Sequence, residues 1–360
     1  DANEYEISAQ WMQLSRNQIN DFDNEGHSSC FRFICRCYFE AGKYEEALPY
    51  ANDAIQCHPS CFHGYLLKFR ILIKMGNKNA SYDFVDEIIN NSPYIGQFEP
   101  FFFSTIAAEL HSIGNNNLAL KTLIKSYELN FNADKKEITN NESSISTTIF
   151  INTKKNIIKS IFALLQKIDD IAFISKTINI LSSKWSSQVI YKIIDKEDEN
   201  RDDSDNFCLS FTENEINSFV SVAFKNGLDL KNKNKWKKAI SSFMSGSLFS
   251  GDLIDCKAPC IFEAIDCYIK LIIPNDDAKL SFFSSDSPLS LAQSAIDEIS
   301  PIIENSSNIK QNYKNGLLLV KLKVSIVIMN IKPTKESNDQ VIQLIKSIRS
   351  AEILFDLTIF

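Results

Sequence analysis

Residues 28–93 read SSCFRFICRCYFEAGKYEEALPYANDAIQCHPSCFHGYLLKFRILIKMGNKNASYDFVDEIINNSP, and they hold two copies of one pattern. The first copy sets Phe31, Ile34, Cys35 and Tyr38 on one helix and Tyr44, Ala47, Ala51, Ala54 and Ile55 on a second, with Gly42 between them and Pro59 after them. The second copy sets Tyr65, Leu72, Gly76, Ser81, Ile88, Ile89 and Pro93 at corresponding places. Gly42 to Gly76 and Pro59 to Pro93 are each 34 residues. The small residues Cys35 and Ala47 let two antiparallel helices approach closely, and Phe31 and Tyr38 fill the space beside the crossing. Gly42 accepts the positive φ that ends the first helix of a pair. Pro59 cannot continue the second helix, so the chain turns into the next pair. Ala54 is small because the next pair's first helix packs on it.

A 34-residue period of helix–turn–helix units with these residue types is the signature of the tetratricopeptide repeat (TPR). A single hairpin cannot bury its own apolar face, so the pattern implies stacked neighbours. A third unit follows, with Phe103, Ile106, Ala107, Leu110, Gly114, Ala119, Leu123 and Ser126 on the same template. Gly76 to Gly114 is 38 residues, which places a four-residue insertion near Pro93 to Pro100. Ahead of the pairs, residues 7–20 have the pattern of an amphipathic helix with Trp11, Leu14 and Ile19 available for packing, and Asp21 to Glu25 reads as a turn.

Beyond residue 130 the period is lost. Asn130 to Thr147 is polar and reads as a long loop; helices are expected at 148–168, 171–181 and 186–194; and the acidic run DKEDENRDDSDN at 195–206 reads as a loop. The pattern resumes where Thr212 and Glu215 have the spacing of a capping box. Phe219, Val222, Ala223, Gly227 and Leu230 follow on one helix, Asn234 takes the turn, and Trp236, Ala239, Phe243 and Gly246 follow on the next. Further helices are expected at about 255–272, 287–304, 309–331 and 336–355. The predicted fold is therefore all-α, a TPR-like α-solenoid forming a right-handed superhelix. It divides into an N-terminal array at 1–130, an irregular helical connector at 131–210 and a second array at 211–360, all in one continuous solenoid.

Composition agrees with this class. The chain has 360 residues, 44% of them hydrophobic, with only 10 glycines and 9 prolines, as short-turned helical arrays require. The net charge of −7 argues against a general nucleic-acid binder, and direct contact with DNA is not expected. The nine cysteines sit mostly at apolar helical positions and outline no disulfide framework, which points to a reducing compartment. The best candidate for a membrane span, Gly316 to Ile331, is interrupted by Lys321 and Lys323. The first residue is Asp1, and the sequence reads as a fragment or processed product of a longer protein.

Several constellations bear on chemistry. Cys57, His58, Cys61 and His63 cluster across an inter-repeat turn but lack a second ligand pair at zinc-finger spacing, so no metal is expected there. Cys256 and Cys260 are one helical turn apart and read as packing residues. Of the four histidines, His27, His58, His63 and His111, none stands in a nucleophile motif, and the chain has no phosphate-binding glycine loop. No catalytic residue, cofactor or small-molecule substrate is assigned. Lys231, Lys233, Lys235, Lys237 and Lys238 flank Trp236 and read as a solvated turn with the indole packed beneath it. The remaining candidate is a strip on the face that a TPR superhelix turns inward: Arg32, Arg36 and Phe39, then His63, Leu66, Arg70, Ile73 and Lys74. Arg32, Arg36, Phe39, Arg70, Ile73 and Lys74 are the expected partner-binding residues, because arginine forks match carboxylates. The alternative is a helix surface whose charges pair with Glu40 and its neighbours.

The residues also resemble a particular family. CRCYFEAGKYEEALPYANDAIQCHPSCFHGYLLKFRILIKMGN, IAAELHSIGNNNLALKTL, NEINSFVSVAFKNGLDL and AISSFMSGSLFS occur in the order and at distances similar to those of the meiotic TPR scaffolds, the group of sporulation-specific protein twenty-two (Zip-four) and testis-expressed protein eleven. The resemblance runs from about Trp11 to about residue 300, and departs where Phe219 and Phe224 stand in place of tryptophans and where the acidic run is inserted. It implies a nuclear, non-catalytic scaffold on meiotic chromosomes that promotes crossovers and synapsis by holding other proteins of that machinery. A general cytoplasmic TPR adaptor for acidic segments is the alternative, and an enzyme carried on a helical array is the third reading.

Overall fold

The computed structural model describes residues 2–20, 23–133, 144–185, 211–251, 253–272, 287–305 and 311–350. They fall into two compact units, 1–167 and 168–360. The boundary lies inside the segment expected as a connector. The expected helix at 186–194 and the acidic run at 195–206 lie outside the described residues. The described residues form α-helices joined by turns, with no β-strand element among them.

The first unit holds α1 (Ala2–Arg16), α2 (Asn24–Glu40), α3 (Tyr44–Cys57), α4 (Phe62–Lys74), α5 (Lys78–Asn91), a short 3₁₀ turn (Ile95–Gln97), α6 (Pro100–Ser112), α7 (Asn116–Ala133) and α8 (Ser144–Leu165). Helices α2/α3, α4/α5 and α6/α7 are the three expected hairpins, and the 3₁₀ turn occupies the expected insertion. The second unit holds α9 (Ile171–Trp185), α10 (Glu213–Asn232), α11 (Trp236–Phe249), α12 (Ile254–Ile272), α13 (Pro288–Asn305), α14 (Gln311–Ile331) and α15 (Lys335–Ser350). No helix among the described residues is long and apolar enough to cross a membrane.

One turn geometry recurs in both units. Gly42, Gly76 and Gly114 have φ of 79°, 75° and 87°, and Asn234 takes the same role at 55°. Behind each, two backbone bonds close the helix: the Gly42 N–H donates to Phe39 O at 3.0 Å and the Lys43 N–H to Tyr38 O at 2.9 Å. The pattern repeats at Gly76/Asn77, Gly114/Asn115 and Asn234/Lys235. This is a Schellman closure, which satisfies helix-end carbonyls and needs a left-handed residue; asparagine is among the few side chains that visit that region readily. Asn77 and Asn115 then cap the next helix, accepting from the N–H groups of Ala80 and Leu118.

The crossings explain the small residues. Cys35, Ala47 and Ala51 are fully buried where α2 meets α3, together with Ile71 of α4, and Ala119 is equally buried on α7. Tyr38 stacks on Tyr50 beside the crossing, with ring centroids 5.6 Å apart. Between α3 and α4, Pro59 turns the chain and its carbonyl accepts the Tyr65 hydroxyl at 3.0 Å; Pro93 lies in the turn after α5. In the second unit a Cβ on Gly227 would stand 2.5 Å from the Phe243 ring, so only glycine lets α10 and α11 approach this closely. Ala239 is fully buried next to Phe243, and Trp236 packs half-buried on the same cluster. The capping box forms as expected: Glu215 N–H donates to Thr212 Oγ1 at 3.3 Å and Thr212 N–H to Glu215 Oε2 at 2.9 Å.

Three boundaries differ from the sequence reading. Helix α1 spans Ala2–Arg16 rather than 7–20, and Asp23 caps α2, so the expected turn at 21–25 is shorter. Helix α1 packs through Ala9 and Met12 against Ile34 and Cys37, leaving Trp11 68% and Leu14 61% exposed. The helix carries two apolar faces, and the one with the small alanine makes the close approach. The expected loop at 130–147 is helical at both ends, since α7 runs to Ala133 and α8 starts at Ser144. Polar residues weaken the apolar signal without stopping a helix that is already nucleated.

Candidate partner-binding groove

Helices α2 and α4 are the first helices of consecutive pairs, and their outward faces form the walls of a groove of about 400 Å³. Spacings of three and four residues put Arg32, Arg36, Phe39 and Glu40 on the α2 wall; His63, Leu66, Leu67 and Arg70 form the α4 wall, and Ser29 and Phe33 complete the lining. The opposite side of α2, with Phe31, Ile34 and Cys35, is buried, so the groove is the outer surface of a helix fixed from behind. Four of the six expected binding residues, Arg32, Arg36, Phe39 and Arg70, thus come together with His63 and Leu66. Half-buried Ile73 and exposed Lys74 lie outside the lining, about one turn further along α4.

The three arginines are in different states. Arg32 is pinned to the wall: its Nη2 donates to Ser29 Oγ at 2.7 Å and its Nη1 to Cys61 Sγ at 3.1 Å. Arg70 of α4 donates through Nε and Nη2 to Glu109 Oε1 of α6, both at 2.7 Å. Arg36 is exposed, and no ion pair joins it to Glu40 one turn along. Of the alternative, in which the strip's charges pair with Glu40 and its neighbours, the described residues show an ion pair at Arg70, and its partner is the distant Glu109.

Comparable steps between first helices are neutralised elsewhere. In the second unit Lys231 of α10 donates to Glu263 Oε2 and Asp266 Oδ2 of α12, both at 2.7 Å, and Lys323 of α14 donates to Asp266 Oδ1 at 2.8 Å. Burial would raise the Asp266 carboxyl, but hydrogen bonds from Lys231 and Lys323 outweigh it and hold the group below its ordinary range. Lys231, the first member of the basic run, is thereby committed to carboxylates, while Lys233, Lys235, Lys237 and Lys238 are solvent-exposed. The α2–α4 step differs from α4–α6, α10–α12 and α12–α14 in carrying a guanidinium, that of Arg36, with no carboxylate on it among the described residues.

Sequence reading did not find one pairing at the mouth of this groove. Cys61 Sγ and His63 Nδ1 are 3.6 Å apart, with the Arg32 guanidinium on the same sulfur. The signal available was the run 57–63 itself, read for metal ligation. The described residues contain no group of three metal-capable side chains, and Nδ1 of His58 is buried without a hydrogen-bond partner. Cys260 is buried against α11, where a Cβ on Gly246 would meet its sulfur at 2.9 Å, and Cys256 donates to Asn217 Oδ1 at 2.7 Å.

The chain is an all-α, TPR-like solenoid by its turns and crossings. No family model and no curated protein matches it. Among solved structures, the TPR domain of P58(IPK) matches with 10% identity and a TM-score of 0.24, covering 98% of this chain and 97% of that one. Likeness at that level adds nothing to the repeat assignment, which rests on the recurring turns.

Proposed function

We propose that this chain is a non-catalytic scaffold that docks an acidic segment of a partner protein in the α2–α4 groove. The observation that carries this reading is the guanidinium of Arg36, which has no ion-pair partner among the described residues, in a groove with apolar side chains on both walls. Carboxylates of the segment meet Arg36, and Phe39 and Leu66 receive its apolar side chains. The biological setting we propose is the meiotic crossover and synapsis machinery in the nucleus, supported by the residue resemblance across both arrays. A general adaptor would use the same groove chemistry on other acidic tails. Retrieval of partners from meiotic cells, followed by mass spectrometry, separates the two: recombination and synapsis factors support the first setting, and chaperones recovered in their place support the adaptor.

The groove itself is tested with Arg36→Glu. Affinity for a labelled acidic peptide should fall at least about tenfold, equivalent to 1.4 kcal/mol. It should also fall with added salt. Melting should change little: Arg36 is exposed and bears no ion pair among the described residues, and the like charge the variant sets beside Glu40 one turn along costs about 0.2–0.5 kcal/mol. Reversal at Arg70 is a poorer probe, since it also breaks the Glu109 pair and sets two carboxylates together. Glu109→Gln is the informative companion: it frees Arg70 and should leave binding equal or tighter. Unchanged affinity in folded Arg36→Glu protein would show that the strip is only a solvated face.

A further inference from the structure

We propose that a second groove, between α13 and α15, receives an extended segment of a partner protein that carries lysine or arginine. Helix α14 packs on both neighbours and forms the floor, and the space enclosed is about 550 Å³. Spacings of three and four residues bring Gln293, Asp297, Pro301 and Glu304 to the α13 wall and Gln340 and Gln343 to the α15 wall, with Lys321 and Ser325 below them. Gln293 to Glu304 spans about 16 Å of helix, the length of about five extended residues.

The Ser325 hydroxyl points to a ligand. Ser325 is only 5% exposed, lines the groove, and has no hydrogen-bond partner among the described residues. The other serines of the lining behave differently. Ser300 Oγ donates to Ile296 O at 2.7 Å and Ser347 Oγ to Gln343 O at 3.1 Å, each closing back on its own helix. A buried hydroxyl left without a bond is costly, and the groove is the open side from which Ser325 can receive one.

The carboxylates set the sign of that ligand. Glu304 is taken by Lys321, whose Nζ donates to Oε1 at 2.6 Å. Asp297 has no ion-pair partner among the described residues, and its Oδ1 accepts from the neutral Gln293 amide at 2.9 Å. The lining therefore keeps a net negative charge and favours a cation. Pro301 has no N–H, so the Asp297 carbonyl lacks the helix bond that position would supply, which adds an acceptor to the same wall. Across the groove, Gln340 and Gln343 are exposed, and their side-chain amides make no hydrogen bond among the described residues. Such amides offer donors and an acceptor that match a peptide unit, which selects an extended backbone over a bare cation. Side chains of an extended segment alternate, so basic residues at every second position face Asp297 together. This groove is opposite in sign to that of α2 and α4, and its ligand does not depend on theirs.

The test is fluorescence anisotropy of the full chain with a labelled hexapeptide that alternates lysine and serine. The peptide should bind with an affinity that falls with added salt, and the same peptide with glutamate in place of lysine should not bind. Asp297→Asn should weaken binding about fivefold or more, and Ser325→Ala about threefold or more. Ser325→Ala should leave the melting temperature unchanged or raise it, because no internal bond is lost. Arg36→Glu should bind the basic peptide as the wild type does. Spermidine, a flexible polycation without peptide units, should displace the probe much less well than unlabelled peptide. Equal affinity in wild type, Asp297→Asn and Ser325→Ala, a lowered melting temperature in Ser325→Ala, or displacement by spermidine equal to that by peptide overturns the assignment. So does a loss in Arg36→Glu as large as that in Asp297→Asn. Absence of peptide binding together with a dimer in sedimentation that Asp297→Asn dissociates would make the occupant a second copy of this chain, and it overturns the assignment as well.

Discussion

Ala47→Trp is expected to lower the melting temperature of the protein clearly. Ala47 is fully buried between α2 and α3, with Cys35, Ala51 and Ile71 around it and Tyr38, Tyr44, Leu48 and Leu67 packed on the same cluster. An indole there has no space to enter unless the two helices separate. Overpacking of this kind costs about 1–3 kcal/mol and occasionally more. The upper end is expected, because α2 also forms one wall of the groove and buries Ile34 and Cys37 against α1. Separating α2 from α3 thus disturbs three helices. A matched Glu46→Trp change, one residue away on an exposed position, should be nearly neutral. Equal melting of the two variants in thermal scans followed by circular dichroism would contradict the crossing.

The contrast between these two positions shows what was legible in the sequence. Ala47, Cys35 and Gly42 are fixed by local rules, a 34-residue period and a left-handed turn, and all three stand where the pattern put them. The fourth turn, at Asn234, was legible for the same reason, although it has no glycine. The α2 wall of the groove was legible too, because Arg32 and Arg36 are one turn apart on one helix. Missing from the sequence were partners distant along the chain. Glu109 is 39 residues from Arg70, and nothing local marks it as the acid that neutralises that arginine. Cys61 lies 29 residues after Arg32, and only the stacking of α4 on α2 brings the sulfur to the guanidinium. Trp11 was misplaced because α1 offers two apolar faces, and periodicity cannot say which one a neighbour covers.

The charge network of the second unit gives the other large effect. Asp266 is shared: Lys231 donates to one oxygen and Lys323 to the other, while Glu263 takes a second bond from Lys231. All four side chains are roughly a quarter to a third exposed, so the network is partly desolvated. Asp266→Ala removes the carboxylate that holds Lys323 and leaves Lys231 with Glu263 only. Hydrogen bonds to charged groups contribute about 1.5–3 kcal/mol, and breaking a fully buried pair costs about 3–5. For this partly exposed site a loss of about 2–3 kcal/mol is expected. Glu263→Ala should cost less, because Lys231 keeps Asp266 and Lys323 is untouched. The pH dependence has a definite sign. The Asp266 carboxyl is held below its ordinary range, so its contribution is present above the unfolded carboxylate pKa and disappears as pH falls through the folded value. Lys231 is raised by Asp266 and Glu263 against the opposing effect of burial, so its contribution is present below the ordinary lysine pKa and is lost only as pH rises through the raised value. Urea midpoints of wild type and Asp266→Ala should therefore differ by a constant amount around neutrality and converge in acid. A Glu263→Ala loss larger than that of Asp266→Ala, or a gap that persists at low pH, would mean that Asp266 is not the shared centre of the network.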